Sequence, residues 1–457
     1  MVSGRRALGF LLILCGILLN PYLLAKLFSN DGNITSGSLL FGVILIESVI
    51  VILGVTVIKK NNEAVQKLGI SLFSVILIVF VSIGADRFYG RFLMPETANI
   101  LFPAFAKAEH HTSEFELDVR INNLGFRGPD VAIAKKKKRV LVIGDSFTFG
   151  WGVEVEETWI HLLSEKYPNV EFLNLGQGGN HPGDHVRTAR KAVPLLKPDL
   201  VMVTVLQGND IHQLMRLIEF EKQRLITEDT VLRKESSRQK IQRYLWNIYP
   251  NMVRRFPLQT TIKDRWEQDA RNLFGEVSPA QKRKYESLNQ KIRKQFENGL
   301  LNPSLIYESL HHPNIIRESV DTSDQLCKKA IVRLHDHLLE LKEISGKYGA
   351  ELLVLSLPNR PYGFSNSLEP LAELGFNVEG CDSLDAHLPI ELATVGTDVP
   401  LLSPVFGNKH EKFFYRYDGH WNRDGNSFYA NTLDSMLCFV LDKKGNYKTW
   451  KALGNNR

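Results

Sequence analysis

The chain has 457 residues, of which 44% are hydrophobic and 23% charged, and its formal net charge is +6. Its Lys and Arg residues are spread along the sequence among Asp and Glu, which argues against a nucleic-acid-binding protein with a basic patch. Domains usually hold about 100–200 residues, so we expect two or three folded units.

Three apolar segments open the chain, and each approaches the ~20 residues with which a helix crosses the hydrocarbon core of a bilayer. They are Leu8–Phe28, Leu39–Ile58 and Leu68–Ala85. No small-residue cleavage site follows the first segment, so we interpret it as an uncleaved span and not as a signal peptide. The sequence therefore predicts a membrane anchor of three transmembrane helices over residues 1–88.

Basic residues flank these segments unevenly. Two arginines precede the first segment, three lysines lie in or beside the short link between the second and third, and residues 29–38 have neither (Arg5 and Arg6; Lys59, Lys60 and Lys67). The positive-inside rule places the basic links in the cytoplasm. It predicts a multi-pass protein of the plasma (inner) membrane, whose chain after Asp86 lies outside the cytoplasm, which in a bacterium is the periplasm.

After a connector over residues 89–138, predicted strands alternate with predicted helices. The predicted strands are short apolar runs, rich in β-branched residues: Arg139–Gly144, Val170–Leu175, Leu200–Leu206 and Ala350–Pro358. Helical patterns lie between them, over Thr158–Tyr167, Val186–Leu196 and Asp324–Tyr348. This alternation is typical of an α/β fold with a parallel sheet that is buried on both faces.

The alternation is interrupted between about Leu214 and Ser323, where the sequence is rich in Lys, Arg, Glu and Gln and shows no clear strand. We predict a helical insertion over residues 214–323, which divides the α/β domain into residues 139–213 and 324–457. The role of the insertion stays open. It either packs on the edge of the sheet as a solvated cap or forms a lid or acceptor-binding surface beside the strand ends.

Glycine-rich and polar turns follow the first three predicted strands, and a further polar motif lies near the C-terminus. These are Gly144–Gly150 (GDSFTFG), Asn174–Asn180 (NLGQGGN), Gln207–Asp210 (QGND) and Tyr417–Asn422 (YDGHWN). Sites in open α/β sheets gather at the carboxyl ends of the strands, so we expect these motifs to converge. A serine hydroxyl becomes a good nucleophile only beside a base such as an imidazole. The set therefore indicates nucleophilic catalysis.

Taken singly, each of these residues would be interpreted as structural, and other candidate ligands are weaker. The His181–His185 stretch (HPGDH) resembles a metal-binding spacing, but it begins a predicted helix, where Asp is a favourable early residue. No Cys-x-x-Cys or Cys/His spacing occurs, so we expect no metal and no cofactor. A single disulfide within the group Cys327, Cys381 and Cys438 is left open.

The ordered set resembles the SGNH (GDSL) hydrolase family, named for its Ser, Gly, Asn and His. The resemblance covers about Val140–Ile211 and Leu326–Leu437, and its most specific parts are Gly144–Gly150 and Asp418–Asn422. It implies a three-layer α/β/α flavodoxin-like SGNH hydrolase domain with a helical insertion, behind the three transmembrane helices.

The same resemblance implies a role for each residue of the set. Ser146 would be the nucleophile, His420 its base and Asp418 the carboxylate partner of His420. The oxyanion hole would consist of the N–H groups of Ser146 and Gly179 and the side-chain amide of Asn209. The family usually places the Asp three residues before the His, whereas here the spacing is two, as in the branch concerned with extracytoplasmic O-acetylation and deacetylation.

The resemblance implies a serine esterase that acts through an acyl-serine intermediate on acyl, in particular acetyl, esters of an extracytoplasmic glycan, or on another ester. The alternative is an O-acyltransferase that moves an acetyl group onto a surface polysaccharide. It would need a membrane acyltransferase partner to carry the acyl group across the membrane. A third hypothesis, an inactive glycan-binding module, is less favoured because no catalytic position of the family is substituted.

Overall fold

The computed structural model describes residues 2–23, 37–93, 96–206, 209–224, 248–249, 251–252, 260–273, 277–358, 368–381, 384–404 and 411–437. The chain forms two compact units. One comprises Met1–Pro95 and Leu232–Phe256, and the other comprises Glu96–Val231 and Pro257–Arg457. The finer domain bounds given above stay predictions.

The first unit contains the helices α1 (Val2–Leu18), α2 (Gly37–Lys59) and α3 (Glu63–Phe92). Among the described residues, two helical stretches are long and apolar enough to cross a membrane: Leu40–Lys59 and Glu63–Phe92. The prediction of three transmembrane helices is corrected on this basis to two helices that could cross a membrane by their length and composition. Helix α1 has only 17 residues, because Asn20 precedes Pro21 and a residue before proline avoids the helical conformation. Residues 24–28 of the expected first span lie outside the described residues.

Apolar side chains cover the outside of these helices as well as their contacts. Phe41 is 69% exposed and Ile78 66% exposed, whereas Leu12 and Ile50 belong to the small core of this unit. Small residues let α1 and α2 approach closely: a Cβ added to Gly9 would lie 2.7 Å from a backbone oxygen of α2. Close contacts of this kind through glycine are common between helices in membranes.

The second unit begins with a small sheet in the stretch where the sequence indicated a connector. Strands β1 (Lys107–His111) and β2 (Glu116–Arg120) are antiparallel. The two-residue strand β6 (Thr260–Thr261) pairs with β1 in parallel. Phe115 between β1 and β2 packs in one cluster with Phe149, close to the predicted nucleophile in the sequence. Residues 107–121 are therefore folded, and they pack against the turn that follows the next strand.

The main sheet consists of β3 (Lys138–Gly144), β4 (Val170–Gly176), β5 (Leu200–Leu206), β7 (Glu351–Leu357) and β8 (Leu401–Leu402). Its order is β4-β3-β5-β7-β8, and all neighbouring strands are parallel. The four longer strands coincide to within one residue with the predicted apolar runs, so the predicted α/β fold with a parallel sheet is confirmed. The one-turn helix α4 (Ser146–Phe149) follows β3 directly.

Alternate side chains of β3 point to opposite faces of the sheet. Leu141 and Ile143 join one core and Val140 and Val142 the other. The first core is covered by the helices α6 (Pro182–Leu196), α7 (Asn209–Arg224), α13 (Gln325–Lys347) and α15 (Leu388–Thr394). The second is covered by α5 (Trp159–Lys166) and α16 (Arg423–Leu437). Helices on both faces complete three layers.

Helices also occupy most of the described part of residues 214–323. They are α8 (Ile262–Leu273), α9 (Pro279–Ser287), α10 (Gln290–Glu297), α11 (Pro303–His311) and α12 (Ile315–Glu318). Their buried side chains form a core of their own, which also includes Leu374 and Phe376 next to the short helix α14 (Glu369–Glu373). This group of helices is therefore stabilised by its own apolar contacts.

Candidate active site

Ser146 is the first residue of α4 and lies at the carboxyl end of β3. Asp145 caps this helix, because its Oδ1 accepts the Phe147 N–H at 3.0 Å. The turn is tight: a Cβ added to Gly144 would lie 1.9 Å from Thr204 Oγ1, a position that no side chain could occupy. The first N–H groups of a helix have no partner within it, so the Ser146 N–H suits a developing negative charge.

Two hydrogen bonds connect Ser146, His420 and Asp418. His420 Nε2 lies 2.6 Å from Ser146 Oγ, across 274 positions of sequence. His420 Nδ1 lies 2.5 Å from Asp418 Oδ1. A hydroxyl, an imidazole and a carboxylate joined in this order are the arrangement of a serine-dependent acyl-transfer site.

The short Asp-x-His spacing is accommodated by the backbone at Gly419. This residue has φ +80°, in the left-handed region that favours glycine. The turn lets one carboxylate oxygen contact the following histidine twice: Asp418 Oδ1 also accepts the His420 N–H at 3.3 Å. A spacing of two residues is therefore enough for the Asp418 carboxylate to reach the imidazole of His420.

Charges around His420 favour its protonated form. Burial lowers the pKa of the imidazole, but the charge and hydrogen bond of Asp418, together with the charge of Asp145, raise it more, so the pKa lies above its usual value. Burial also raises the pKa of Asp145, and burial together with the charge of Asp145 raises the pKa of Asp210 well above the usual value for a carboxyl. Two interacting buried carboxyls, Asp145 and Asp210, thus lie close to the nucleophile.

The expected oxyanion-hole residues lie near this centre to different degrees. Asn209 begins α7, and its Nδ2 lies 3.5 Å from Asp145 Oδ2; an amide has two N–H donors, so one remains for a substrate oxygen. Gly179 has φ +78° in the turn after β4. Within the described part of the chain it makes no hydrogen bond to Ser146. Its neighbour Gly178 is nearer, since a Cβ added there would lie 3.8 Å from Ser146 Cβ.

Two further contacts of Asp418 come from residues that the sequence did not single out. Glu114, between β1 and β2, accepts the backbone N–H groups of Tyr417 at 3.1 Å and of Asp418 at 2.8 Å. Trp151 Nε1 donates to Asp418 Oδ2 at 3.2 Å. Neither residue lies in a recognisable motif, and both contacts join segments that are distant in sequence, so no local signal could have identified them.

The His181–His185 stretch forms a helix start. His181 Nδ1 accepts the Gly183 N–H at 3.0 Å, and the His181 N–H donates to Asp184 at 3.1 Å. Burial, with the nearby His181 and His337, lowers the pKa of His185 to about 3. No group of three or more His, Cys, Asp or Glu side chains that could hold a metal occurs among the described residues. Cys327 is a buried free thiol, so the disulfide considered above does not include it.

Comparison with known proteins gives matches at the level of structure only. No family model matches the sequence, and no curated protein matches it. The solved structures that resemble the chain include TesA (11% identity, TM-score 0.31, 66% of this chain and 98% of that chain). They also include a member of the lipolytic protein G-D-S-L family from Veillonella parvula (8%, 0.31, 65% and 97%). A third is the lipase/acylhydrolase from Enterococcus faecalis (10%, 0.29, 66% and 95%).

The second of these structures is thus described as lipolytic and of the G-D-S-L family, and the third as a lipase/acylhydrolase. Likenesses of this size carry no functional conclusion for the present chain. Its function has to follow from the geometry of its own site, in which a hydroxyl, an imidazole and a carboxylate form one hydrogen-bonded series.

The pH dependence of activity should report the charge environment of His420. A general base must be neutral, so kcat/KM should rise with pH through a pKa above the usual histidine value of about 6.5. Asp418→Asn removes the charge that raises this pKa. The acidic limb of the pH profile, where kcat/KM rises with pH, should therefore move to lower pH. Turnover should fall by about 10⁴-fold, the loss known for the corresponding change in a serine-protease triad.

The matched control for this change is Asp424→Asn, which alters an exposed carboxylate in the first turn of α16. It should leave both the acidic limb and kcat close to those of the unmodified protein. An acidic limb that Asp418→Asn leaves in place would show that Asp418 does not set the pKa of the base.

Asn209→Ala tests the amide donor. Loss of one oxyanion-hole donor typically costs roughly 2.7–4 kcal/mol of transition-state stabilisation, so kcat should fall by about 10²–10³ while KM changes little. Asn302→Ala is the control, since Asn302 caps α11 by accepting the Ser304 N–H and lies at a helix start as Asn209 does. A change confined to KM in Asn209→Ala would remove this residue from the chemistry.

Proposed function

We propose that the chain is a serine esterase in which Ser146 is the nucleophile, His420 the general base and Asp418 the group that orients and stabilises the imidazole. The observation that carries the proposal is the pair of hydrogen bonds from Ser146 Oγ to His420 and from His420 to Asp418, at 2.6 and 2.5 Å. The series lies at the carboxyl end of β3, where sites in open α/β sheets gather.

The proposed reaction has two stages. His420 Nε2 takes the proton of Ser146 Oγ as this oxygen attacks the ester carbonyl, and Asp418 stabilises the imidazolium that forms. The imidazolium then gives its proton to the departing alcohol, which leaves an acyl group on Ser146. In the second stage His420 activates a water molecule, which attacks the acyl carbonyl. The acid departs and the Ser146 hydroxyl is restored.

The oxyanion formed in each stage needs preorganised donors. We assign this role to the N–H groups of Ser146 and Gly179 and to the side-chain amide of Asn209. The start of a helix at Ser146 and the left-handed glycine turn at Gly179 support the assignment, as does the position of Asn209 beside Asp145. Each of these donors is neutral, so they can bind the oxyanion without adding a charge that would compete with His420.

Two other functions start from the same residues. An O-acyltransferase would form the same acyl-Ser146 and pass the acyl group to a sugar hydroxyl instead of water. It would need a membrane acyltransferase partner to supply acyl groups from the cytoplasm. An inactive glycan-binding module would have no use for a serine that is hydrogen-bonded to a base, and so the assembled series disfavours it.

We further propose that the protein is an integral, multi-pass protein of the plasma (inner) membrane and that its second unit faces outside the cytoplasm. Two apolar helices, α2 and α3, support an anchor by length and composition. Lys59, Lys60 and Lys67 lie in and around the link between them, which favours a cytoplasmic link and an outside position for the chain after α3. The ester substrate would then be an acylated, in particular acetylated, extracytoplasmic glycan.

The nucleophile can be tested with the full chain in detergent and an activated acetyl ester. Acetate release should occur, and a serine-directed phosphonate should attach covalently to Ser146, because the adjacent imidazole activates this hydroxyl. Both signals should be lost in Ser146→Ala and should nearly vanish in His420→Ala. Ser287→Ala, at an exposed serine at the end of α9, should keep both signals.

The same assay separates the proposed esterase from the alternative functions. A glycan acceptor that becomes acetylated, at the expense of free acetate, would identify a transferase. Covalent labelling at a different serine, or acetate release that Ser146→Ala leaves intact, would contradict the proposed nucleophile. No acetate release and no labelling in the unmodified protein would favour the binding module.

The proposed orientation predicts a simple fusion result. A reporter that is active only outside the cytoplasm should work when it is fused after Arg457 and should fail when it is fused at Lys60, because the positive-inside rule holds the lysine-rich link in the cytoplasm. Cell-based activity of the two fusions is the measurement. The reverse pattern would invert the proposed topology.

A further inference from the structure

Trp151 lies in the loop after α4 and contacts the Asp418–His420 pair directly. Its indole N–H donates to Asp418 Oδ2 at 3.2 Å, and its ring centroid is 6.2 Å from that of His420. On its other sides it meets the His110 ring edge-on at 4.3 Å and the ring of Trp266, from α8, at 6.0 Å. The indole is thus confined by aromatic rings, and its one polar group is used on the carboxylate.

Arg127 holds the loop that carries Trp151. Its guanidinium donates to the carbonyl oxygens of Phe149 at 3.1 Å, Gly150 at 2.6 Å and Val153 at 2.6 Å. These carbonyls lie on both sides of Trp151, so the planar fork of the arginine fixes the loop at its two ends. A further bond, from Tyr415 Oη to the Gly152 oxygen at 2.7 Å, holds the middle of the loop.

Burial of the charged Arg127 guanidinium costs free energy, which indicates that its hydrogen bonds to the loop have a function. Arg127 is only 1% exposed, and burial lowers its pKa to about 10, with the nearby Glu154, Glu156 and Glu157 opposing the change. Among the described residues its hydrogen bonds go to backbone carbonyls and it forms no ion pair, and a buried charge without a close ion-pair partner costs free energy. A neutral side chain could fill this space at lower cost, but it could not donate to three carbonyls at once.

Asp418 has a second oxygen that needs a partner. Oδ1 is occupied by two donors of His420, and the carboxylate side chain is only 7% exposed. Without a donor on Oδ2 the carboxylate group could rotate about its last torsion, which is broad for an aspartate. The indole N–H of Trp151 removes this freedom.

We infer that Trp151, held in place by Arg127, is the positioning residue of the catalytic series: it fixes the Asp418 carboxylate so that Oδ1 faces His420 Nδ1. This inference rests on the proposed function. It gives the stretch before β3 a part in the site, since Arg127 lies there, and it makes the orientation of the carboxylate depend on a loop 267 positions away in sequence.

Trp151→Phe tests the inference, because it removes the N–H donor and keeps an aromatic ring. In the full-length protein kcat should fall roughly 10–100-fold, since small misplacements of catalytic groups cost up to about 10² in rate, while KM should stay within about two-fold. The acidic limb of the pH profile should move to lower pH, because a misaligned Asp418 attracts the imidazolium less. Glu114, Asp145 and Tyr415, which also interact with this pair, are unchanged in the variant.

Trp266→Phe is the matched control, since it changes the neighbouring indole and leaves the Trp151 donor intact. It should leave the acidic limb where it is in the unmodified protein. Arg127→Lys, which keeps the charge but loses the fork, should shift the acidic limb in the same direction as Trp151→Phe. The double variant should be little worse than the stronger single one, because both changes act on the same carboxylate.

An acidic limb that does not move in Trp151→Phe, or that moves to higher pH, would overturn the inference. So would equal shifts in Trp151→Phe and Trp266→Phe. If Arg127→Lys does not fold, the Trp151→Phe result decides by itself. Failure of the proposed function is recognised separately, since the unmodified protein would then neither release acetate nor be labelled at Ser146.

Discussion

The carboxyl ends of parallel strands meet at one edge of a sheet, and the candidate site depends on this constraint. Strands β3, β4 and β5 are neighbours in the order β4-β3-β5, so the turns that follow them are adjacent as well. The glycine turn after β4 therefore lies beside Ser146, and Asn209 at the start of α7 lies beside the preceding residue, Asp145. The same edge receives His420 from the far end of the chain, 274 positions away. No local preference could bring these groups together without the parallel register.

Close packing around the turn after β3 explains the glycines at the ends of β3 and β4. A Cβ on Gly144 would lie 1.9 Å from Thr204 Oγ1, and one on Gly176 would lie 2.1 Å from the Phe149 nitrogen. The missing side chains allow the Thr148 and Thr204 hydroxyls to bond at 2.7 Å, which joins the turn after β3 to the neighbouring strand β5. The nucleophile is thus carried by a backbone that has little freedom to move, as preorganised catalysis requires.

The sequence predicts those features that have a local signal. The four longer strands were predictable because a strand buried on both faces is a short, continuous apolar run, and the motif residues stand directly after such runs. The first predicted span was not found as one long helix because α1 ends at Leu18, just before Asn20 and Pro21, although the apolar character of the sequence continues beyond them. Glu114 and Trp151 could not be found, since an acceptor for backbone N–H groups and a single indole donor have meaning only in three dimensions.

The short spacing between Asp418 and His420 determines how the two oxygens of the Asp418 carboxylate are used. With one residue between them, the carboxylate uses a single oxygen for both the backbone and the ring of His420, and the left-handed Gly419 makes this geometry accessible. Its other oxygen accepts the indole N–H of Trp151, while Glu114 accepts the backbone N–H of the same residue. A turn as short as this has few contacts of its own. Its rigidity must come from the segments around it, and these include the folded stretch before β3, from which Glu114 and Arg127 come.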